Sequence, residues 1–101
     1  MNKLRLLKLE DLKNNNLTQI SLNESNYLVA KVDEEVFVTS DMCTHEDAEL
    51  SMGYLDGKKV KCPLHGSFFD LVTGKALNEP ATDPIKVYEV IIEKGVIYIN
   101  D

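Results

Sequence analysis

The sequence predicts an all-β fold, an antiparallel sandwich or partly closed barrel, and three observations carry that expectation. Short apolar runs rich in β-branched and aromatic residues recur along the chain, turn residues punctuate them, and no stretch has a convincing helical period. With 101 residues there is room for one domain and little else, so 1–101 is expected to be a single unit.

Residues 4–9 read as a first strand. Glu10-Asp11-Leu12-Lys13 suits a single helical turn and Asn14-Asn15-Asn16 a polar loop. Residues 17–22 offer a second strand, with Leu17 and Ile20 apolar. Residues 27–32 and 36–39 are stronger strands, and Asp33-Glu34-Glu35 between them predicts a tight hairpin. A polar, loop-like stretch covers 40–53. Tyr54-Leu55 and Lys59-Val60-Lys61 flank Asp56-Gly57, a strong hairpin signal. Residues 67–71 look like another strand, ended by Thr73-Gly74. A loop follows over 78–84, with Pro80 and Pro84 in it, and then strands at 85–92 and 96–99 joined across Glu93-Lys94-Gly95.

Composition narrows the function classes. A hydrophobic fraction of 44% and a charged fraction of 28% sit near globular averages and argue against a disordered chain. No apolar run reaches the ~18–20 residues that span a bilayer. The first eight residues are too few and too charged for a secretory segment, so a cytoplasmic location is expected. The net charge is −6, from 17 acidic and 11 basic residues. Such a chain repels nucleic acid and anionic membrane, so neither is an expected partner. Acidity suits docking onto a basic protein surface, and it also simply keeps a small protein in solution.

Chemistry concentrates in two short clusters. The chain has two cysteines and two histidines, and all four fall in Cys43-Thr44-His45 and Cys62-Pro63-Leu64-His65. One hairpin separates the clusters, which should bring both loops to the same end of the fold. A thiolate and an imidazole from each loop make a Cys2His2 metal set. Zinc accepts such a set, and the two cysteines alone allow a disulfide, though nothing points to secretion. Structural zinc sites favour Cys-x-x-Cys or His-x-x-x-His pairs, whereas Cys-x-His and Cys-x-x-His suit a cluster whose two irons have different ligands.

The stretch from Cys43 to His45, the run Cys62-Pro63-Leu64-His65-Gly66-Ser67-Phe68-Phe69-Asp70, and Thr73-Gly74-Lys75-Ala76-Leu77 together resemble the Rieske domain. In detail the chain is similar to the small bacterial Rieske ferredoxins that serve aromatic-ring-hydroxylating dioxygenases. The resemblance runs from about Leu4 to the end. It implies a Rieske-like fold with a small cluster-binding subdomain, here about 41–83, and one [2Fe–2S] cluster held by Cys43, His45, Cys62 and His65. Both cysteines would bind one iron and both histidines the other.

Charge explains the mixed ligands. Two ferric ions, two sulfides and two thiolates sum to zero, whereas four thiolates would leave the oxidised cluster at −2 and harder to reduce. Rieske centres accordingly lie at about −150 to +300 mV. High-potential members of the family carry an extra disulfide between the two loops. The matching positions here are Ala48 and Leu64, which cannot form it. Those members also carry a serine and a tyrosine that donate to sulfur. Ser67 matches the serine, but Phe69 stands at the tyrosine position. A potential toward the low end is expected, with Ser67 pulling the other way.

Further expectations attach to single residues. Gly66 and Gly74 suit tight turns near the cluster. Pro80 matches the proline of the loop that covers the cluster in this family, or is an ordinary surface-loop proline. Met42, Leu64 and Phe69 would keep water from the sulfides or belong to routine core. Glu46, Asp47 and Glu49 would decorate a docking rim or a plain solvated face.

The resemblance thus implies a soluble, monomeric electron carrier and not an enzyme in its own right. Its partners would be a flavin-dependent reductase and a terminal oxygenase. Two alternatives stand beside it: a small Rieske-like subunit of a nitrite reductase, and a zinc-stabilised interaction module.

Overall fold

Hairpins build most of this molecule, because two-residue turns with both central residues left-handed match the twist of the strands they join. The computed structural model describes residues 3–44, 48–64 and 66–100. Its strands in chain order are β1 (Lys3–Lys8), β2 (Asn16–Leu22), β3 (Ser25–Val32), β4 (Glu35–Ser40), β5 (Tyr54–Asp56), β6 (Lys59–Lys61), β7 (Phe68–Asp70), β8 (Val87–Tyr88), β9 (Val90–Glu93) and β10 (Val96–Asn100). They form three antiparallel sheets, ordered β1-β10-β9, β2-β3-β4-β8 and β5-β6-β7. The fold is all-β and antiparallel as expected, built from open sheets. Among the described residues, no helix is long and apolar enough to cross a membrane.

Four hairpins close on two-residue turns, with Leu22 opposite Ser25, Val32 opposite Glu35, Asp56 opposite Lys59 and Glu93 opposite Val96. Asn23 and Glu24 (φ 50° and 66°), Asp33 and Glu34 (48° and 69°), and Lys94 and Gly95 (50° and 74°) are left-handed pairs. At Gly57-Lys58 only the glycine, at φ 58°, takes that conformation. The Asn23-Glu24 turn is tighter than the sequence suggests, since 23–26 reads as a longer connection.

Strand β3 divides the interior. Successive side chains of a strand point to opposite faces, and here both faces are buried. Leu28, Ala30 and Val32 pack into one core with Leu50, Val60, Phe69 and Leu71. Tyr27 and Val29 pack into a second with Leu6, Val38, Ile97 and Ile99. The first core joins the four-stranded sheet to the β5-β6-β7 sheet, and the second joins it to β1-β10-β9. An exposed ion pair at 2.8 Å between Lys58 and Glu35 ties the β5–β6 turn to the start of β4. The hydrogen bond to Glu35 raises the Lys58 pKa above its ordinary value.

Three elements depart from expectation. The single strand expected over 85–92 breaks at Glu89: β8 pairs with β4 as the edge strand of its sheet, while β9 pairs with β10 in another sheet. The apolar pattern runs unbroken through this crossing because Tyr88 and Val90 both pack against the second core. The helical turn near residue 10 is a 3-10 turn, Leu9–Asp11. A second, unanticipated 3-10 turn, Leu50–Met52, lies in the polar stretch after β4, with Leu50 fully buried.

Candidate metal centre

Each cysteine opens a loop of the same size. Beyond β4 the chain passes through Asp41 and Met42 to Cys43, whose N–H donates to the Ala48 carbonyl at 2.9 Å. Beyond β6, the Cys62 N–H donates to the Ser67 carbonyl at 2.7 Å. The second turn needs a left-handed residue, and Gly66 supplies it at φ 74°. The β5–β6 hairpin connects the two loops and folds them onto one core. Cys43 and Cys62 are both buried thiols, 3% and 1% exposed, and both pack in the core that holds Val60, Phe69 and Ala81. Of the expected ligands these two are brought together. His45 and His65, like the rim residues Glu46 and Asp47, lie outside the described residues.

A third loop is stitched to both. The Thr44 hydroxyl, one residue before His45, donates to the Asp83 carbonyl at 2.7 Å. On the other loop, the Ala81 N–H donates to the buried Ser67 hydroxyl at 3.0 Å. The Phe68 N–H donates to Asn78 Oδ1 at 2.7 Å, and Asn78 Nδ2 donates to the Gly66 carbonyl at 3.3 Å. Residues 78–84, with Pro80 after a cis peptide bond, are therefore held against both cysteine loops. That arrangement goes beyond an ordinary surface loop. Its foot rests on Gly74, which takes φ 81° and leaves no room for a side chain: a Cβ there would lie 2.2 Å from the Ile85 carbonyl oxygen.

Phe69 is fully buried core, whereas Met42 and Leu64 are 44% and 45% exposed and belong to the surface around the loops. Ser67 is 1% exposed. Because its oxygen accepts from Ala81, its own proton is left to serve another acceptor.

Sequence reasoning passed over Asp41, Gln19, Ser51, Thr44 and Asn78. Asp41, 2% exposed, fastens the neck of the first loop: Ser51 N–H and Oγ donate to its carboxylate at 2.7 and 2.6 Å. Gln19 Nε2 donates to it at 2.7 Å and to Glu49 at 2.8 Å. The only signal was a carboxylate two residues before a cysteine, which by itself reads as solvated loop.

Two soft sulfur donors buried in the same apolar core suit an iron–sulfur group. The neutral packing around them, including Leu50, Val60 and Phe69, would shield its sulfur side from water. The residues described fit such a group.

Comparison with known proteins agrees. The Rieske [2Fe-2S] domain matches residues 2–89. The ferredoxin component of the naphthalene 1,2-dioxygenase/salicylate 5-hydroxylase systems of Ralstonia sp is 39% identical over 85 residues, covering 84% of this chain and 82% of that protein. Among solved structures, the Sphingomonas yanoikuyae B1 ferredoxin superposes with a TM-score of 0.94 at 42% identity, over 99% of each chain. The complex of reduced oxygenase and oxidised ferredoxin in carbazole 1,9a-dioxygenase includes a chain that matches with a TM-score of 0.90 at 32% identity, over 96% of this chain and 91% of that one.

Proposed function

The chain belongs to the Rieske [2Fe-2S] family, with one Rieske-type [2Fe–2S] cluster as its cofactor, and from that premise we propose that Cys43, His45, Cys62 and His65 hold the cluster. Both thiolates would bind one iron and both imidazoles the other. The cluster-binding part is then the segment of about 41–83 within a single domain. The observation that carries this reading is the pair of buried thiols, each opening an equal loop onto one core.

The protein is an electron carrier. It passes single electrons from a flavin-dependent reductase to a terminal ring-hydroxylating oxygenase in the cytoplasm, and it catalyses no reaction of its own. The bound cluster supplies one-electron chemistry, and the chain supplies the rest. Cys43 and Cys62 anchor it from the dry side. Thr44, Ser67 and Asn78 lock the third loop to the two loops that bear the histidines, which limits their movement when the charge changes. Limited movement keeps electron exchange fast. The relatives named as ferredoxin components of dioxygenase systems, and the ferredoxin seen with its oxygenase, support these partners.

Reconstitution tests the proposal. The purified protein should be red-brown, with two irons and two acid-labile sulfides per chain. An aromatic-ring dioxygenase and a flavin reductase should form product only when it is added. One zinc per chain without sulfide would overturn the ligand assignment. A loaded protein that the reductase cannot reduce, or that the oxygenase cannot reoxidise, would overturn the carrier role.

A further inference from the structure

The outer face of the β5-β6-β7 sheet carries two ordered rows. Leu55, Val60, Phe69 and Ala76 lie side by side across the strands and pack inward on the core. Successive side chains of a strand point to opposite faces, so the flanking rows point outward. One row is Tyr54, Lys61 and Phe68, extended by Leu77, whose N–H donates to the Phe68 carbonyl at 2.8 Å. The other is Asp56, Lys59 and Asp70. Tyr54 and Leu77 are 69% and 45% exposed, and Phe68 is half-buried.

The whole chain carries a charge of −6, but this face presents a cation. Lys59 stands between two aspartates in register, yet its ammonium lies over the Phe68 ring, 5.7 Å from the centroid. Among the described residues no ion pair holds it. Asp70 serves the next turn instead: its Oδ1 accepts from the Val72 and Thr73 N–H groups at 2.7 and 3.3 Å. A carboxylate from outside complements a lysine so placed. An exposed tyrosine beside a second ring and a leucine has the make-up of an interface core. The apolar row also ends at a useful place. Lys61 directly precedes Cys62 and Phe68 directly follows Ser67, and the Cys62 N–H donates to the Ser67 carbonyl. A protein seated on this row therefore meets the root of the second cysteine loop.

We propose that this sheet face docks a redox partner with an acidic surface, which offers a carboxylate to Lys59 and an apolar side chain to Tyr54, Phe68 and Leu77. The charge steers the approach, and the apolar row holds the partner beside the cluster loop. The inference deepens the carrier reading and rests on it.

Steady-state kinetics of the purified, cluster-loaded protein test it, with reduction by the flavin reductase and reoxidation by the terminal oxygenase followed separately. Lys59→Glu should raise the KM for the carrier in one half-reaction by about fivefold or more, with kcat near the parent value. The parent KM should rise with salt more steeply than that of the variant. Tyr54→Ser changes no charge at an exposed position, and it should raise the same KM. Lys94→Glu makes the same change of net charge in the β9–β10 turn of another sheet, and it should alter neither KM. An unchanged KM in both half-reactions for Lys59→Glu or for Tyr54→Ser, or an equal rise in Lys94→Glu, would overturn the proposal. So would a parent dimer in sedimentation that Lys59→Glu dissolves, since a second copy would then be the occupant. A loaded parent that neither takes up nor passes on electrons would instead defeat the carrier role, so the two failures are distinguishable.

Discussion

Ser67 serves two neighbours with one hydroxyl. Its oxygen accepts from the Ala81 N–H at 3.0 Å inside the protein, and under the ligand arrangement proposed above its proton would go to the sulfur side. Ser67→Ala removes the acceptor and strands a buried N–H, so stability should fall by about 1–3 kcal/mol in thermal or denaturant unfolding. The reduction potential should fall with it. A variant as stable as the parent would show that the third loop does not depend on this bond. The proposed ligands could be named from the sequence, because their spacing is chemical information that needs no knowledge of the fold. Asp41 could not. Its partners Gln19 and Ser51 come from β2 and from the turn Leu50–Met52, 22 and 10 residues away, and only the folded chain brings them to one carboxylate.

Among the elements, the hairpins separate what local sequence reveals from what it hides. Asp56-Gly57 announces its turn through a glycine suited to positive φ. Asn23-Glu24 does not, since an exposed glutamate at φ 66° is an uncommon choice for that position. Glu24→Gly removes the clash of a Cβ in the left-handed region and costs some freedom of the unfolded chain. The net effect should be a stabilisation of about 0.5 kcal/mol, read as a higher denaturant midpoint. The opposite sign is expected at Gly74, where a Cβ would meet the Ile85 carbonyl oxygen at 2.2 Å and Val87 at 2.9 Å. Gly74→Ala should cost about 3 kcal/mol or more, and a midpoint within error of the parent would contradict the close approach. The break at Glu89 was illegible for a related reason. Apolar alternation records burial, and it cannot record which of two sheets does the burying.

Across the whole molecule, two cores share β3 but differ in what supports them. The core of Tyr27, Val29, Ile97 and Ile99 is closed by long strands paired along their length. The other contains both cysteines and is roofed by loops. Binding a metal group adds its free energy to the part that supplies the ligands. Removing the cluster should therefore cost amide hydrogen-exchange protection first in 43–48, 62–67 and 78–84, with β3 and β10 the last to open. Uniform loss across all strands would mean that the two cores do not separate in stability. Pulsed electron paramagnetic resonance of the reduced protein, grown with 15N-histidine, addresses the ligand arrangement most directly. Two histidine nitrogens coupled to the electron spin are the expected result, and both couplings should persist in variants outside 43–65. A signal with no histidine nitrogen, or with one, would contradict a cluster shared between two thiolates and two imidazoles.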